Sequence, residues 1–325
     1  RLCTNRLLVI DLVTGEQIPV DFRQLQSLGL GEAFFSQTKQ PLGWWSLDSL
    51  HAYFLNMERG GGQVNLVKVD SRNGKTEIVF EETSDTFVRL AHMCDEALLF
   101  RFITKTSELI WFSERSGYGH LYLYDLTTGE LKHPITSGEW LVRDVLGFDD
   151  EKRELLLQTM GRKDGISLYY RDICKVNIDT GAITDIALGN YEYAVYQRYN
   201  VTAFRRALFD SDGCKGFHAV SPCGHYIVAT RSRVDTVPET ILLDRNGAEL
   251  MVVETCDVSD LPADWVWPEP VQTVAADGET DIYGVIYRPP GFSEDKNYPV
   301  IDFSGGYRWY TQVCQGSFGN SVSLY

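Results

Sequence analysis

Large apolar side chains alternate with polar ones along much of the chain, at the two-residue spacing of β-strands. The alternation is clearest in one stretch of the first half. There Trp111 and Phe112 end an apolar run, a turn with Gly117 and Gly119 follows, and a second run extends from Leu121 to Leu126. This stretch predicts two β-strands joined by a short polar turn.

A short motif recurs five times: an apolar strand, then Asp or Asn, then Gly three or four residues later, then another strand. Asp or Asn can bond the backbone of its own turn, and Gly accepts a positive φ, so each copy predicts a tight turn. The copies contain Asp11 and Gly15, Asp70 and Gly74, Asp125 and Gly129, Asn177 and Gly181, and Asp244 and Gly247. Subtracting successive glycine positions gives intervals of 59, 55, 52 and 66 residues. These are somewhat longer than the roughly 40–50 residues of typical propeller blades.

Further predicted strands lie between the copies of the motif, which brings each unit to four strands. They cover residues 50–57, 64–69, 97–103, 109–112, 145–148, 154–159, 217–220 and 226–230. Four strands per unit and no convincing long amphipathic helix favour a mainly β fold, a β-propeller of about four complete blades and one partial blade. The alternative, an array of β-sandwiches, usually has more strands in each unit.

The pattern changes after Leu250. Residues 261–270 form a connector rich in Pro and Trp, which we expect to pack across an interface between two domains. A hairpin is predicted over 271–287, and a buried strand over 300–303 that ends at a pair of glycines. We therefore divide the chain into a propeller region, 1–260, and a second region, 261–325.

Composition excludes several classes of function. The net charge of −15 opposes binding to nucleic acid. No apolar run reaches the roughly 18 residues of a membrane span. The seven cysteines form no disulfide pattern, and Cys214, His218 and Cys223 lack a paired fourth zinc ligand, so we predict no metal and no cofactor. Because the chain opens on Arg1-Leu2-Cys3, we expect it to be a piece of a longer protein, and its compartment stays open.

Several motifs resemble the serine peptidases of the prolyl oligopeptidase clan, and specifically the dipeptidyl peptidase IV branch. These motifs are Phe112–Asp125, Ile135–Trp140, Ser221–Gly224, Asp281–Pro289 and Tyr298–Asp302. The resemblance implies a propeller followed by the first strands of an α/β-hydrolase domain. It also implies removal of X-Pro or X-Ala dipeptides from peptide N-termini by a Ser-His-Asp triad with an oxyanion hole, and often a homodimer.

The triad itself is not recognisable in the chain. No G-x-S-x-G nucleophile motif occurs, and the nearest stretch, Gly319 to Ser323, lacks the second glycine. We expect the nucleophile, the Asp and the His after Tyr325, so this chain alone is predicted to be inactive. The six histidines, His51, His92, His120, His133, His218 and His225, are predicted to be turn or surface residues.

The substrate-facing candidates are Glu114, Arg115 and Tyr118, and the oxyanion-hole candidate is Tyr307. The structural alternative for Glu114 and Arg115 is a salt-bridge pair with neighbouring turns. The adjacent Glu81 and Glu82 are predicted to form a solvated turn at the end of an outer strand. The family's paired substrate-binding glutamates are expected before Arg1.

Two functional hypotheses follow. In the first, the chain is a fragment of a serine-type dipeptidyl peptidase whose propeller gates and helps bind the peptide. In the second, it is a non-catalytic propeller that binds a peptide or a protein. Because a partial propeller leaves two open edges, we also expect the chain to be less stable than its parent or to associate.

Overall fold

The computed structural model describes residues 6–22, 43–57, 60–90, 99–187, 189–195 and 219–302. Within these ranges every regular element is a β-strand, and every paired neighbour is antiparallel. The strands form one two-stranded sheet, four four-stranded sheets and a final hairpin. We call the first five sheets blades 1 to 5.

The strands follow one another in chain order within each blade. Their bounds are β1 Leu8–Ile10 and β2 Gln17–Pro19 in blade 1; β3 Gly43–Trp45, β4 His51–Met57, β5 Gln63–Asp70 and β6 Thr76–Thr83 in blade 2; β7 Arg101–Ile103, β8 Glu108–Ser113, β9 His120–Asp125 and β10 Leu131–Pro134 in blade 3; β11 Leu141–Asp149, β12 Glu154–Met160, β13 Arg171–Asn177 and β14 Ile183–Asp185 in blade 4; β15 Glu192–Ala194, β16 Tyr226–Arg233, β17 Thr236–Asp244 and β18 Glu249–Thr255 in blade 5; and β19 Glu269–Val274 with β20 Asp281–Ile286 in the hairpin.

The four complete blades and the partial first blade confirm the predicted mainly β architecture. The five Asp-Gly or Asn-Gly motifs fall at the turns between the third and fourth strands of blades 2 to 5, and at the turn of blade 1. In blade 3, for example, the Asp125 carboxylate accepts the backbone N–H groups of Thr127 and Thr128, and Gly129 has a φ of 74°. This is the local chemistry that the sequence predicts.

The core lies between neighbouring blades, because side chains alternate across each sheet. On β8, Leu109 and Trp111 join a cluster shared with blade 2, whereas Ile110 and Phe112 join a cluster shared with blade 4. All six residues of β8 are buried. A third cluster, which includes Ile173 of β13, joins blades 4 and 5. The blades are therefore held together by both faces of their central strands.

Several turns of the blades and the hairpin β19–β20 lie at one end of the blades. Antiparallel pairing places the turns between second and third strands, and the connections between blades, at the same end, which we call the upper face. The turn 114–119 of blade 3 and the turn 161–170 of blade 4 lie there. The Tyr169 ring, in the second of these turns, contacts the Tyr283 ring of β20, with centroids 5.4 Å apart. The hairpin β19–β20 therefore lies against the upper face.

One expectation for the last region differs from the structure. The hairpin was predicted over 271–287 and is present, but 300–302 forms no strand, and the Val300 side chain is 90% exposed. A strand buried on both faces needs neighbouring strands and helices to cover it, and in the described part of the chain no such elements lie beside residues 300–302. In the connector, Trp265 is 40% exposed, and its ring contacts that of Trp267.

Candidate functional site

The candidate site lies at the upper face, at the boundary between blades 2 and 3. Glu82 of β6 points across this boundary, and its carboxylate accepts hydrogen bonds from the Trp111 indole N–H and the Ser113 hydroxyl. The Arg115 guanidinium donates a third bond over 2.9 Å. The Glu82 side chain is only 10% exposed. At this end of the boundary, one carboxylate with three donors therefore links the two blades.

The prediction that Glu81 and Glu82 form a solvated turn is thus wrong for Glu82. Successive side chains of β6 point to opposite faces of the sheet. Phe80 and Glu82 face blade 3, where Phe80 stacks on the ring of Tyr124 at 4.6 Å. Glu81 points the other way, is exposed, and bonds Gln63 of its own blade.

Each of the three guanidinium nitrogens of Arg115 donates a hydrogen bond. Besides Glu82, it donates to the Tyr124 hydroxyl at 2.7 Å and to the Ser113 hydroxyl at 2.9 Å. Its guanidinium lies over the Tyr122 ring, 4.5 Å from the centroid. Burial opposes the charge of Arg115, but the Tyr124 bond and the Glu82 charge outweigh it and raise the pKa of the guanidinium. Arg115 thus forms a structural salt bridge, as the alternative to a substrate-facing role requires, and this salt bridge joins two blades.

The other two candidates of this turn are more accessible. Glu114 forms an ion pair with Arg89 at 3.7 Å, and both side chains are about two-fifths exposed. Tyr118 is 41% exposed. The turn that holds them is closed by the bond from the Gly117 N–H to the Glu114 carbonyl at 2.9 Å, and Gly117 has a φ of 92°. Tyr307, the oxyanion candidate, lies outside the described residues.

His120, directly after this turn, corrects the prediction that the histidines are turn or surface residues. It is fully buried. Its Nε2 donates to the Gly138 carbonyl at 2.9 Å, and its Nδ1 accepts from the Thr136 hydroxyl at 3.0 Å, which in turn accepts the Leu121 N–H. Burial lowers the pKa of the ring. A neutral His120 therefore ties β9 to the connection between blades 3 and 4.

Of the remaining histidines that the structure describes, two are half-buried and one is an exposed turn residue. His133 is half-buried, and its Nε2 donates to the Ile178 carbonyl of blade 4 at 2.8 Å. His51 is half-buried in β4, whereas His225 is exposed in a turn, as predicted. His92 and His218 lie outside the described residues.

A second polar cluster at the upper face was missed by the sequence reasoning. Asp172 of β13 accepts bonds from the Thr159 hydroxyl and from Arg162, and Lys163 lies 3.2 Å from the same carboxylate. Arg162 also binds Asp185. One signal in the sequence could have indicated this cluster: a hydroxyl residue near the end of the second strand of a blade, followed by an arginine. Thr159 and Arg162 have this pattern in blade 4, as Ser113 and Arg115 have it in blade 3.

The described residues contain no group of three or more His, Cys, Asp or Glu side chains placed to hold a metal ion. They also contain no helix that is long and apolar enough to cross a membrane. Of the three residues considered for zinc, only Cys223 is described, and it is exposed.

Repeated four-stranded blades with a core between them define the chain as a β-propeller protein. The family model described as the dipeptidyl peptidase IV (DPP IV) N-terminal region matches residues 27–206, which is more than half of the chain. The chain therefore belongs to this family, and the resemblance seen in its motifs is confirmed.

Two relatives extend this comparison. The chain is 25% identical over 299 residues to the probable dipeptidyl peptidase 4 of Aspergillus flavus, an alignment that covers 88% of the chain and 33% of that protein. The crystal structure of Porphyromonas gingivalis dipeptidyl peptidase 4 has the same fold, with a TM-score of 0.64 at 16% identity over 90% of the chain and 36% of that protein. The chain spans about a third of the length of these relatives.

Proposed function

We propose that the chain is part of a serine-type dipeptidyl peptidase that releases N-terminal X-Pro and X-Ala dipeptides. The observation that carries this proposal is the membership of the chain in the dipeptidyl peptidase IV N-terminal family. A penultimate proline has a fixed φ and no N–H group, so its peptides suit a peptidase that binds the chain end rather than an extended strand. The proposal needs no cofactor, and it includes neither nucleic acid as a partner nor a membrane span in this chain.

The proposed division into a propeller, 1–260, and the start of an α/β-hydrolase domain, 261–325, agrees with the strand order. Blade 5 ends with β18 at Thr255, and the hairpin begins with β19 at Glu269. The contact between Tyr169 and Tyr283 supports a hydrolase domain that covers the upper face. A peptide on its way to the catalytic serine would then pass the turn 114–119, so the propeller would both gate the site and help bind the peptide.

Within this arrangement, the substrate-facing candidates take different roles. The exposed Tyr118 ring would pack on the peptide, and the partly exposed Glu114 carboxylate, 3.7 Å from Arg89, would face it. Arg115 would support both from behind, because each of its guanidinium nitrogens already donates a bond to Ser113, Tyr124 or Glu82. Tyr307 is the proposed oxyanion-hole donor. The nucleophile, the Asp and the His are proposed to follow Tyr325.

The test compares hydrolysis of a chromogenic Gly-Pro substrate by this 325-residue chain and by the protein extended to its natural C-terminus. We expect release of the chromophore, and of Gly-Pro by mass spectrometry, from the extended protein only. Replacement of its G-x-S-x-G serine by Ala should abolish turnover. Activity of the short chain would contradict the proposed position of the triad.

Inactivity of both proteins on Gly-Pro and Gly-Ala substrates would favour the alternative, a non-catalytic propeller that binds a peptide or protein. The absence of a G-x-S-x-G motif from these 325 residues is compatible with that alternative. Size-exclusion chromatography with light scattering on the extended protein tests the proposed homodimer, for which a doubled mass is expected.

A further inference from the structure

We propose that Glu82 is a positioning residue for the peptide site, because its bonds to Trp111, Ser113 and Arg115 fix the turn that presents Tyr118. This inference rests on the proposed function and adds to it a residue that never touches the peptide. It assigns to Glu82 a role that the sequence alone does not reveal.

The first step is that Glu82 joins two blades. Its strand, β6, is the outer strand of blade 2, whereas its three donors belong to blade 3. Trp111 and Ser113 are fully buried, so their polar groups depend on this one carboxylate, and an unpaired buried polar group is costly. Ser113 donates to Glu82 and accepts from the Arg115 backbone N–H at 3.1 Å, which links the carboxylate to the start of the turn.

The second step is that the turn is fixed at both ends. Ser113 is paired with His120 in the β8–β9 ladder, and His120 is buried. Between them, Arg115 is the residue with most bonds, and Tyr118 stands exposed three residues later. The backbone of the turn is held by the bond from the Gly117 N–H to the Glu114 carbonyl and by the Gly119 carbonyl, which accepts the Val142 N–H, and the Ser116 hydroxyl bonds the Tyr118 carbonyl. Arg115 is the residue of the turn that binds the buried Glu82 carboxylate of blade 2. The position of the Tyr118 ring therefore depends on Glu82 through Arg115.

The third step is chemical. A glutamine at position 82 keeps the shape of the side chain but removes the charge opposite Arg115, and it turns one of the accepting atoms into an NH₂ donor. If the NH₂ group turns toward Trp111 and Arg115, it meets two donors. If it turns toward Ser113, it meets a hydroxyl whose oxygen already accepts from the backbone and side-chain N–H groups of Arg115, so at least one contact is lost in either orientation. Glu81 is the matched control, because it is the neighbouring carboxylate on the same strand, is exposed, and bonds Gln63 of its own blade.

Kinetics on the extended, active protein test the positioning role. We expect Glu82→Gln to raise KM about tenfold with little change in kcat, as for lost binding that ground and transition states share, and Glu81→Gln to leave both unchanged. In a Tyr118→Ala background, Glu82→Gln should change KM less than about twofold, because the ring that it positions is absent. An undiminished effect in that background would assign Glu82 a merely structural role. Should Glu82→Gln fold poorly, Tyr124→Phe removes one bond of Arg115 and should raise KM about threefold.

Limited trypsin digestion of the 325-residue chain tests the clamp without any activity. Arg115 is held by Glu82, whereas Arg72 lies in the exposed outer turn of blade 2 and bonds Asp70. We expect Glu82→Gln to speed cleavage after Arg115 about tenfold relative to cleavage after Arg72, as for a segment whose local opening becomes easier. Equal relative rates would overturn the inference. If the extended wild type shows no dipeptidyl peptidase activity, the proposed function is wrong. If the wild type is active and Glu82→Gln leaves its KM unchanged, only the positioning role is wrong.

Discussion

The Cα of Gly129, in the outer turn of blade 3, lies against the backbone carbonyl of Val79 in β6 of blade 2, so closely that a Cβ atom has no room. The equivalent glycines repeat this contact on the preceding blade: Gly74 faces the Pro19 carbonyl, and Gly247 faces the Ile186 carbonyl. At Gly181 the contact is looser, with 3.3 Å between a Cβ position and the Ile135 carbonyl. The glycine of the motif thus serves both the turn and the spacing between blades.

We predict that Gly129→Ala destabilises the chain more than Gly181→Ala. Both residues have a φ near 70°, which costs an alanine about 1–2 kcal/mol, but only Gly129 also loses the room for a Cβ. The total for Gly129→Ala should exceed about 3 kcal/mol, whereas Gly181→Ala should stay near the conformational cost alone. Melting temperatures followed by circular dichroism measure both. Equal losses would mean that the blades separate enough to accept the added methyl.

His120 should make the chain sensitive to mild acid. Because burial lowers its folded pKa below the ordinary value of about 6.5, the unfolded chain binds more protons on acidification. The contribution of His120 to stability is therefore complete above about pH 6.5, and it falls as the pH drops from there to the folded pKa. Melting temperatures between pH 8 and pH 5 should show this loss.

The control for this prediction is His120→Gln, which keeps a donor and an acceptor but does not titrate. It should be less stable than the wild type at pH 8 and show a smaller drop between pH 8 and pH 5. The same drop in both proteins would place the pH dependence elsewhere.

The cysteines of the described chain should differ in reactivity. Burial raises the pKa of the Cys174 thiol to about 12, so it should react only after unfolding. Cys223 is exposed, and the hydrogen bond with the Ser221 hydroxyl lowers its pKa. Alkylation at pH 7.5 followed by peptide mass spectrometry should therefore label Cys223 before Cys256 and well before Cys174. Ser221→Ala should slow Cys223 selectively, and faster labelling of Cys174 in the native protein would contradict the burial of β13.

Strand β18 should promote association of the isolated chain. All seven of its residues are exposed, including Val252 at 42% and Val253 at 53%, and its outer edge pairs with no described strand. Such an apolar edge is a template for pairing with another chain. Light scattering should show a mass that rises with concentration, and Val252→Lys should reduce that rise. The control is Leu131→Lys in β10, which adds the same charge to a blade that is covered on both faces and should leave the rise in mass unchanged. A monomer at all concentrations would contradict the prediction.

Much of the fold could be predicted because its signals are local. Alternation gave the strand of β8 to within a residue at either end, as the predicted 109–112 became Glu108–Ser113. The Asp-Gly and Asn-Gly motifs placed the outer turns, since the Asp or Asn side chain bonds backbone groups only two or three residues away. The number of blades followed from counting these turns.

The candidate site was only partly predictable. The motif predicts the turn 114–119, but the sequence also predicts a solvated Glu82 and a turn or surface position for His120, and both of these predictions are wrong. The bond between Arg115 and Glu82 spans 33 residues of sequence, and that between His120 and Gly138 spans 18. Alternation says which residues share a face of a strand, but it does not say which neighbouring sheet that face meets.

The sequence by itself determined most of the strands, the outer turns, the blade count and the family, because each depends on residues that are close together in the chain or on a contiguous motif. The tertiary structure alone decided that a carboxylate crosses between blades 2 and 3, that a histidine is buried neutral, and that the hairpin β19–β20 meets the upper face. Those outcomes depend on burial and on charges brought together from distant segments. A charged group is tolerated inside a protein only where such partners surround it.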